Sequence, residues 1–402
     1  MTDFMPTTPE EVSSVVQWAA GERTPLEVTG QGSKRGMGRP AQTEHILSLS
    51  KLTGVTLNGL AELVLSARAG TPIAEIEKLL ADYGQQLDFE PMDYGPLHGQ
   101  ARGQGSIGGV LATNLSGPRR LKAGAARDHI LGISAVSGRG EAFKAGGRVV
   151  KNVTGYDVSK AMAGSWGTLA VCTDVTFKVL PAAETETTLV IRGLLDDQAT
   201  AAMGLALGSS AEVSSAAHVP EGMVVSLSGG TLGADAATLL RLEGFPPSIA
   251  YRLNLLQDML VNAGELQILN GEKSKAVWRD IRDCIPFADG THKPVWRVSM
   301  QPSEAHRMAL DLRRDIPASV FYDWQGGLVW LRMEHGEPEG ERLRALVKRH
   351  GGGHATLVRA NAAVRAAVPV FEPQPPALRA LSERLKASFD PHDILNPGRM
   401  AG

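Results

Sequence analysis

The stretch VTGQGSKRGMG, residues 28–38, places glycines at 30, 32, 36 and 38 directly behind the strand-like run PLEV. Glycine loses more backbone entropy on folding than any other residue. A cluster of it therefore points to close backbone approach, to positive φ, or to a loop without fixed form. A second segment of the same character, GQARGQGSIGGVLATNLSG, spans residues 99–117. Three phosphate-binding arrangements compete. A P-loop needs GxxxxGK followed by Ser or Thr, and the chain offers no such order. A Rossmann fingerprint needs GxGxxG between a buried strand and a helix; Gly103, Gly105 and Gly108 match the letters, but PLHGQAR before them is no such strand. The third arrangement uses both segments. Loops 75 positions apart, counted from Gly30 to Gly105, close on one diphosphate through backbone N–H groups. A short helix over SIGGVLATNL then points its N-terminus at the phosphates. Spacing alone leaves this open beside a plain flexible loop.

The bulk numbers bound the rest. A chain of 402 residues predicts more than one core. With 43% hydrophobic and 21% charged residues and a net charge of −2, nothing suggests a nucleic-acid footprint or a membrane-surface patch. No apolar run approaches the roughly 18 residues of a membrane span. The start MTDFMPTTPEEV lacks the basic and apolar regions of a signal peptide, which predicts a cytoplasmic protein. Cys172 and Cys284 are too few to hold an iron–sulfur cluster and read as apolar thiols.

Outward from the loops, strands and helices alternate. PLEVTG, LSLSKLTGV and ELVLSARAG read as strands. Thr71 reads as an N-cap with Pro72 at the first helical position, and Ile73, Ile76, Leu79, Leu80 and Tyr83 follow at helical spacing. QQLDFEP reads as a strand, and TLAVCTDVTFKVLP as a long one ended by Pro181. Near residue 185 the order changes. TTLVIRGL, MVVSLSG, ATLLRLEG, ELQILNG, KPVWRVSM, ASVFYDWQGGLVWLRME and HATLVRA read as strands, with helices over 246–263, 272–283 and 302–313. This predicts an antiparallel sheet with helices on one face. No repeat is visible.

The two glycine segments resemble the FAD-binding domain of the vanillyl-alcohol oxidase type, together with GAARDHILGISAV, VVKNVTGYDVSKAMAGSWGTLAVCTDVTFKVLP and the terminal FDPHDILNPGRM. Within that family the similarity is to FAD-binding E subunits of bacterial glycolate oxidases. It covers nearly all of 1–185 and the tail; the middle matches more loosely, through VWRVSM and DWQGGLVWL. The resemblance implies an α+β fold: a PCMH-type two-subdomain FAD-binding domain over 1–185, an antiparallel sheet-and-helix cap over 186–375, and a helix and tail, 376–402, returning to the FAD site. It implies Gly30, Gln31, Gly32, Ser33 and Lys34 as one diphosphate loop and Gly105, Ser106, Ile107, Gly108 and Gly109 as the other. Asn114 and Gly117 would follow the flavin side. Lys151, Asn152, Gly155 and Asp157, with Gly167 and Thr168, would wall the adenosine side, and Asn396 would reach the isoalloxazine ring. Flavin-linking members carry His in the first loop or Cys in the second. This chain has Gln31 and Ser33 and no Cys over 103–117, so FAD is expected to be non-covalent.

Oxidising a 2-hydroxy acid needs a flavin to accept hydride, a base, and a cation for the carboxylate. The metal-holding His-Gly-Asp-Gly-Asn of related dehydrogenases is only echoed in EHGEPEGE, 334–341, where His335 reads as a surface residue. His350 and His354 flank three glycines at a metal-like spacing but read as a loop, and no metal site is expected. Arg297 reads as a carboxylate clamp or an ordinary salt bridge, and Tyr322 as a flavin-face or core residue; no base stands out. The resemblance therefore implies a subunit that relays electrons or supports assembly beside a catalytic FAD sister subunit and an iron–sulfur subunit, on a small 2-hydroxy acid. Any membrane association is expected through those partners. A stand-alone D-lactate-type dehydrogenase and a flavin-free scaffold are the alternatives.

Overall fold

The strand Leu26–Thr29, which feeds the first glycine loop, lies at the edge of a three-stranded parallel sheet beside His45–Ser48 and Thr2–Phe4. The structure is a computed structural model describing residues 2–148 and 155–400. Helix Pro9–Glu22 covers this sheet. The Thr8 hydroxyl caps it by accepting from the Glu11 amide, Pro9 opens it, and Val12, Val16 and Ala19 bury one face against Leu26 and Leu47. A five-stranded antiparallel sheet follows, in the order Val55–Gly59, Val64–Arg68, Ala170–Lys178, Ile130–Ser137, Ala142–Gly146. Helices Ile73–Asp82 and Ile107–Thr113 pack on it through Ile73, Ile76, Leu80, Ile107, Val110 and Leu111. The glycine loops lie between these two sheets.

Beyond residue 185 the chain builds an eight-stranded antiparallel sheet. Its order resolves into two copies of one β-α-β-β-α-β unit, a repeat invisible in the sequence. The first runs Thr185–Arg192, helix Asp196–Leu207, Ser215–Val219, Ala237–Gly244, helix Pro246–Leu260, Glu265–Asn270. The second runs Val295–Met300, helix Pro302–Arg313, Ala318–Asp323, Leu328–Met333, helix Gly340–Arg349, Gly353–Arg359. The copies join back to back through the pair His218–Tyr322. Four helices cover one face. The other face carries Val190, Val219, Leu239, Val295, Phe321 and Trp330, and packs on Tyr94, Leu115 and Trp166 of the N-terminal region. Helix Glu272–Arg282 lies on that second face, so the expected one-sided helical layer is broken there.

Local expectations are corrected at four places. Thr71 does not cap its helix: its hydroxyl donates to the Arg68 and Gly54 carbonyls, and Pro72 stands at the cap without a side-chain bond. QQLDFEP contributes only the two-residue strand Gln85–Gln86. LSLSKLTGV breaks into a strand, a 3₁₀ turn and a second strand. MVVSLSG is a kinked 3₁₀ segment, Val224–Gly230, and the neighbouring strand is Ser215–Val219 instead.

The tail returns to where the chain began. The Leu26 amide donates to the Ile394 carbonyl at 2.7 Å, and the Asn396 amide donates to the Leu26 carbonyl at 3.0 Å. Residues 394–396 therefore extend the parallel sheet beside the first glycine loop.

Candidate functional site

The two glycine loops touch. Ser106 caps helix Ile107–Thr113, its hydroxyl accepting from the Gly109 amide at 3.3 Å. Gly30 packs on that hydroxyl so closely that a Cβ there would stand 2.0 Å from Ser106 Oγ. Gly108 meets Ala69, where a Cβ would stand 2.7 Å from the Ala69 Cβ. Both positions need glycine for backbone approach, which answers part of the clustering. Gly30, Gln31, Gly32, Ser33, Lys34, Ser106, Gly108, Gly109 and Gly167 line one cavity. Gln31 is committed to the scaffold, donating to the Gly70 carbonyl at 2.8 Å and the Ser50 carbonyl at 3.2 Å.

Lys34 stands where both loops can reach a ligand. Its ammonium lies 3.5 Å from the Cβ position of Gly105 and 3.9 Å from that of Gly109. Burial lowers it to about 8, against the opposing charge of Asp93. A half-buried cation facing backbone amides of a helix N-terminus fits a diphosphate. Cys172 lines the same cavity, and burial pushes its thiol up to about 12.

A larger cavity of about 1090 Å³ opens between the N-terminal region, the cap sheet and the tail. Asn114, Thr168, Asn396 and Arg297 line it. Asn396 is 2% exposed, and its amide is used structurally: Oδ1 accepts from the Val28 amide at 2.8 Å and Nδ2 donates to the Trp166 carbonyl at 2.9 Å. Arg399 donates to the Lys34 and Met37 carbonyls, tying the tail to the first loop. Arg297 lies 4.8 Å from the Trp324 ring centroid, and its Nε is buried without a hydrogen-bond partner. The Trp324 indole donates to the Gly117 carbonyl at 3.0 Å, so Gly117 anchors the cap hairpin rather than lining the cavity.

Other expected residues lie elsewhere. Ile107 is a core residue of the N-terminal region. Gly155 and Asp157 are exposed, and Asp157 pairs with Lys160 at 2.9 Å. Lys151 and Asn152 lie outside the described residues. Tyr322 faces away from the cleft: it packs among the cap helices and donates its hydroxyl to Asp196 at 2.7 Å. Alternation along Ala318–Asp323 instead turns Phe321 and Asp323 toward the N-terminal region. Asp323 is 2% exposed, and burial raises its carboxyl to about 7 although the Trp324 amide donates to it.

One residue, Arg120, escaped the sequence reading. It lines the large cavity, 5.1 Å from the Trp324 ring centroid. His354 belongs to a strand, not a loop. It pairs with Ser299, while Thr356 pairs with Arg297, so these four side chains share one patch of sheet facing the cavity. The alternation His354, Thr356, Val358 was the available signal. His350 is elsewhere, paired with Asp311 at 2.9 Å. Among the described residues, no three His, Cys, Asp or Glu side chains converge as metal ligands. No helix among them is long and apolar enough to cross a membrane.

Comparison with known proteins agrees with this geometry. The family described as FAD binding domain matches residues 3–146. Glycolate oxidase subunit GlcE of Escherichia coli strain K12 is 33% identical over 388 residues, covering 96% of this chain and 95% of that protein. D-lactate dehydrogenase of Archaeoglobus fulgidus is 30% identical over 187 residues, 46% of this chain and 40% of its own length. In fold, 4-ethylphenol oxidase from Gulosibacter chungangensis superposes with a TM-score of 0.74 at 15% identity, over 99% of this chain and 88% of that one. Together these bear out the PCMH-type fold, FAD as the cofactor and an oxidoreductase family. The chain belongs to the FAD-binding E-subunit family of glycolate oxidases, within the vanillyl-alcohol oxidase type of flavoproteins.

Proposed function

We propose that this chain is the FAD-binding subunit of a multisubunit glycolate oxidase, cytoplasmic and acting beside a catalytic FAD sister subunit and an iron–sulfur subunit. Its parts are an FAD-binding domain over 1–185, a cap over 186–375, and a closing helix and tail over 376–402. The observation that carries the reading is Lys34, an ammonium held between two glycine loops that touch each other. Gly30–Lys34 and Gly105–Gly109 would hold the diphosphate, with Ser106 fixing the helix N-terminus. Asn114 and Asn396 would flank the flavin side. When bound, the flavin would supply a redox centre that takes up electrons and passes them on. The two cysteines leave onward electron transfer to an iron–sulfur partner.

A second reading, that the chain oxidises a 2-hydroxy acid itself, is favoured by the patch Arg297, Ser299, His354 and Thr356. There a guanidinium can hold a carboxylate while an imidazole on the neighbouring strand takes the hydroxyl proton. Anaerobic stopped-flow reduction of the FAD-loaded chain by glycolate and by D-lactate separates the two. Bleaching only when the sister subunits are added supports the relay. Bleaching of the chain alone, lost in His354→Gln with FAD retained, establishes the second reading.

A further inference from the structure

Lys34 lines two cavities. One is the cavity of the two glycine loops. The other, of about 230 Å³, is also lined by Glu77, Asp93, Arg102 and Arg282. Most charges around it are engaged with one another. Arg102 pairs with Asp280 at 2.5 Å, and Arg282 with Asp283 at 2.7 Å and with Glu77 at 3.6 Å. Asp93 is the exception. Its Oδ1 accepts the Gly95 amide at 2.9 Å and its Oδ2 the Gly103 amide at 2.6 Å. Among the described residues it has no ion-pair partner, and its charge supports the Lys34 ammonium against burial. The other groups near Lys34 offer it no counter-charge. Arg399 is a cation that donates to the Lys34 carbonyl at 3.2 Å, and burial lowers His98 to about 4, which leaves it neutral. The Asp93 amide donates to Asp283 Oδ1 at 3.1 Å, and Asp283, fully buried, follows helix Glu272–Arg282, so the cap fixes where Asp93 stands.

A carboxylate in direct contact with Lys34 would compete with a diphosphate for it. A lysine buried with no counter-charge would give up its proton before the ligand arrived. Asp93 avoids both outcomes. Two backbone amides hold its oxygens, and its charge acts on Lys34 across the cavity they share without closing on it. We propose that Asp93 is a positioning residue of the diphosphate site: a stand-in counter-ion that keeps Lys34 cationic until the diphosphate takes over, and a fastener of the second glycine loop through the Gly103 amide. The inference rests on the reading that Lys34 and the two glycine loops hold a diphosphate.

The test is fluorescence titration of the full chain with FAD between pH 6.5 and pH 9. A diphosphate restores the proton to a partly deprotonated Lys34, so wild-type affinity falls as pH rises through about 8. In Asp93→Asn the lysine gives up its proton at lower pH. The loss of affinity across the range should then be at least about threefold greater than in the wild type. Asp93→Glu, which keeps the charge, should keep the wild-type profile. Hydrogen exchange at the Gly103 amide should accelerate in Asp93→Asn, because one of two acceptor oxygens is gone. Acceleration there with an unmoved pH profile would make Asp93 a loop fastener only and overturn the proposal. Should Asp93→Asn not fold, Asp93→Ser, whose hydroxyl accepts one amide and carries no charge, decides by the same profile. A wild-type affinity independent of pH would instead overturn the diphosphate reading of Lys34, and the role of Asp93 with it.

Discussion

Lys34 carries the sharpest expectation of any single residue. Its ammonium is lowered to about 8 by burial in the unliganded chain. A diphosphate beside it would favour the charged form and restore the proton. FAD binding then takes up a proton, and affinity should fall as pH rises through 8. The stability of the unliganded chain runs the other way. Unfolding lets Lys34 return to its ordinary, higher value, so the unfolded chain binds more protons above pH 8 and folding gains stability there. Opposite slopes for FAD affinity and apo melting temperature between pH 7 and pH 10 are the expected signature, read by fluorescence titration and calorimetry. An FAD affinity flat over that range would remove Lys34 from the diphosphate site. Gly105→Asp checks the same point from the facing loop. Its Cβ would meet Lys34 Nζ at 3.5 Å, an ordinary contact, so the fold tolerates it. The new carboxylate would pair with the ammonium in place of the diphosphate. FAD affinity should drop by about tenfold or more while circular dichroism is unchanged, and unaltered flavin content would contradict the assignment.

Among the elements, the tail is the one that unites the site. Helix Pro376–Phe389 has no fully buried side chain; only Phe389, at its end, packs on the N-terminal core, 6.0 Å from the Phe143 ring centroid. It is fixed at its far end. Lys386 donates to the Thr168 carbonyl at 2.7 Å and the Leu395 carbonyl at 3.1 Å, and Asp390 accepts the Ile394 and Leu395 amides. Asn396 completes the fastening between Val28 and Trp166. Removing its amide in Asn396→Ala leaves a buried donor and a buried acceptor unpaired, about 1–3 kcal/mol each. Hydrogen exchange of residues 394–400 should accelerate and flavin retention should fall; protection equal to wild type would mean the tail is held without it. The tail was legible because ILNPGRM is a distinctive string, whereas the direction of its asparagine was not. The same limit applies to the cap strands. Alternation in ASVFYDW separates Tyr322 from Phe321 and Asp323, but nothing local says which set faces the flavin side. Topology decides that, and it turned Tyr322 toward Asp196. Arg120 sits in a four-residue helix after a turn, where no periodicity exists to reveal it. MVVSLSG reads as a strand by composition, yet Ser228 and Gly229 adopt positive φ, and the Ser228 amide donates to Asp280 of helix Glu272–Arg282.

At the scale of the molecule, the duplicated cap unit must be registered on the N-terminal region, since the cleft draws residues from both. A buried ion pair sets that register. Arg241, 1% exposed, donates from two nitrogens to Glu90 at 3.0 Å each, while Glu90 also accepts the Arg119 amide and Arg119 pairs with Glu243 at 2.7 Å. The Glu90 carbonyl accepts the Gly117 amide, and the Gly117 carbonyl accepts the Trp324 indole, so the pair leads directly to the wall of the cleft. Burial opposes the Glu90 charge, but Arg241 and Arg119 outweigh it and hold the carboxyl at about 2. Because this value lies below that of the unfolded chain, the contribution is fully present at neutral pH. It is lost as pH falls from the ordinary glutamate range toward 2, where the unfolded chain binds its proton first. Glu90→Gln leaves the Arg241 charge buried without its carboxylate and should cost about 3–5 kcal/mol at pH 7. The cost should shrink steadily on acidification, because the wild type loses the same interaction. Melting curves of both proteins from pH 7 to pH 3 read this directly. Parallel curves would show that the register is set elsewhere in the interface. Converging curves would show that the buried pair holds the cap on the N-terminal region.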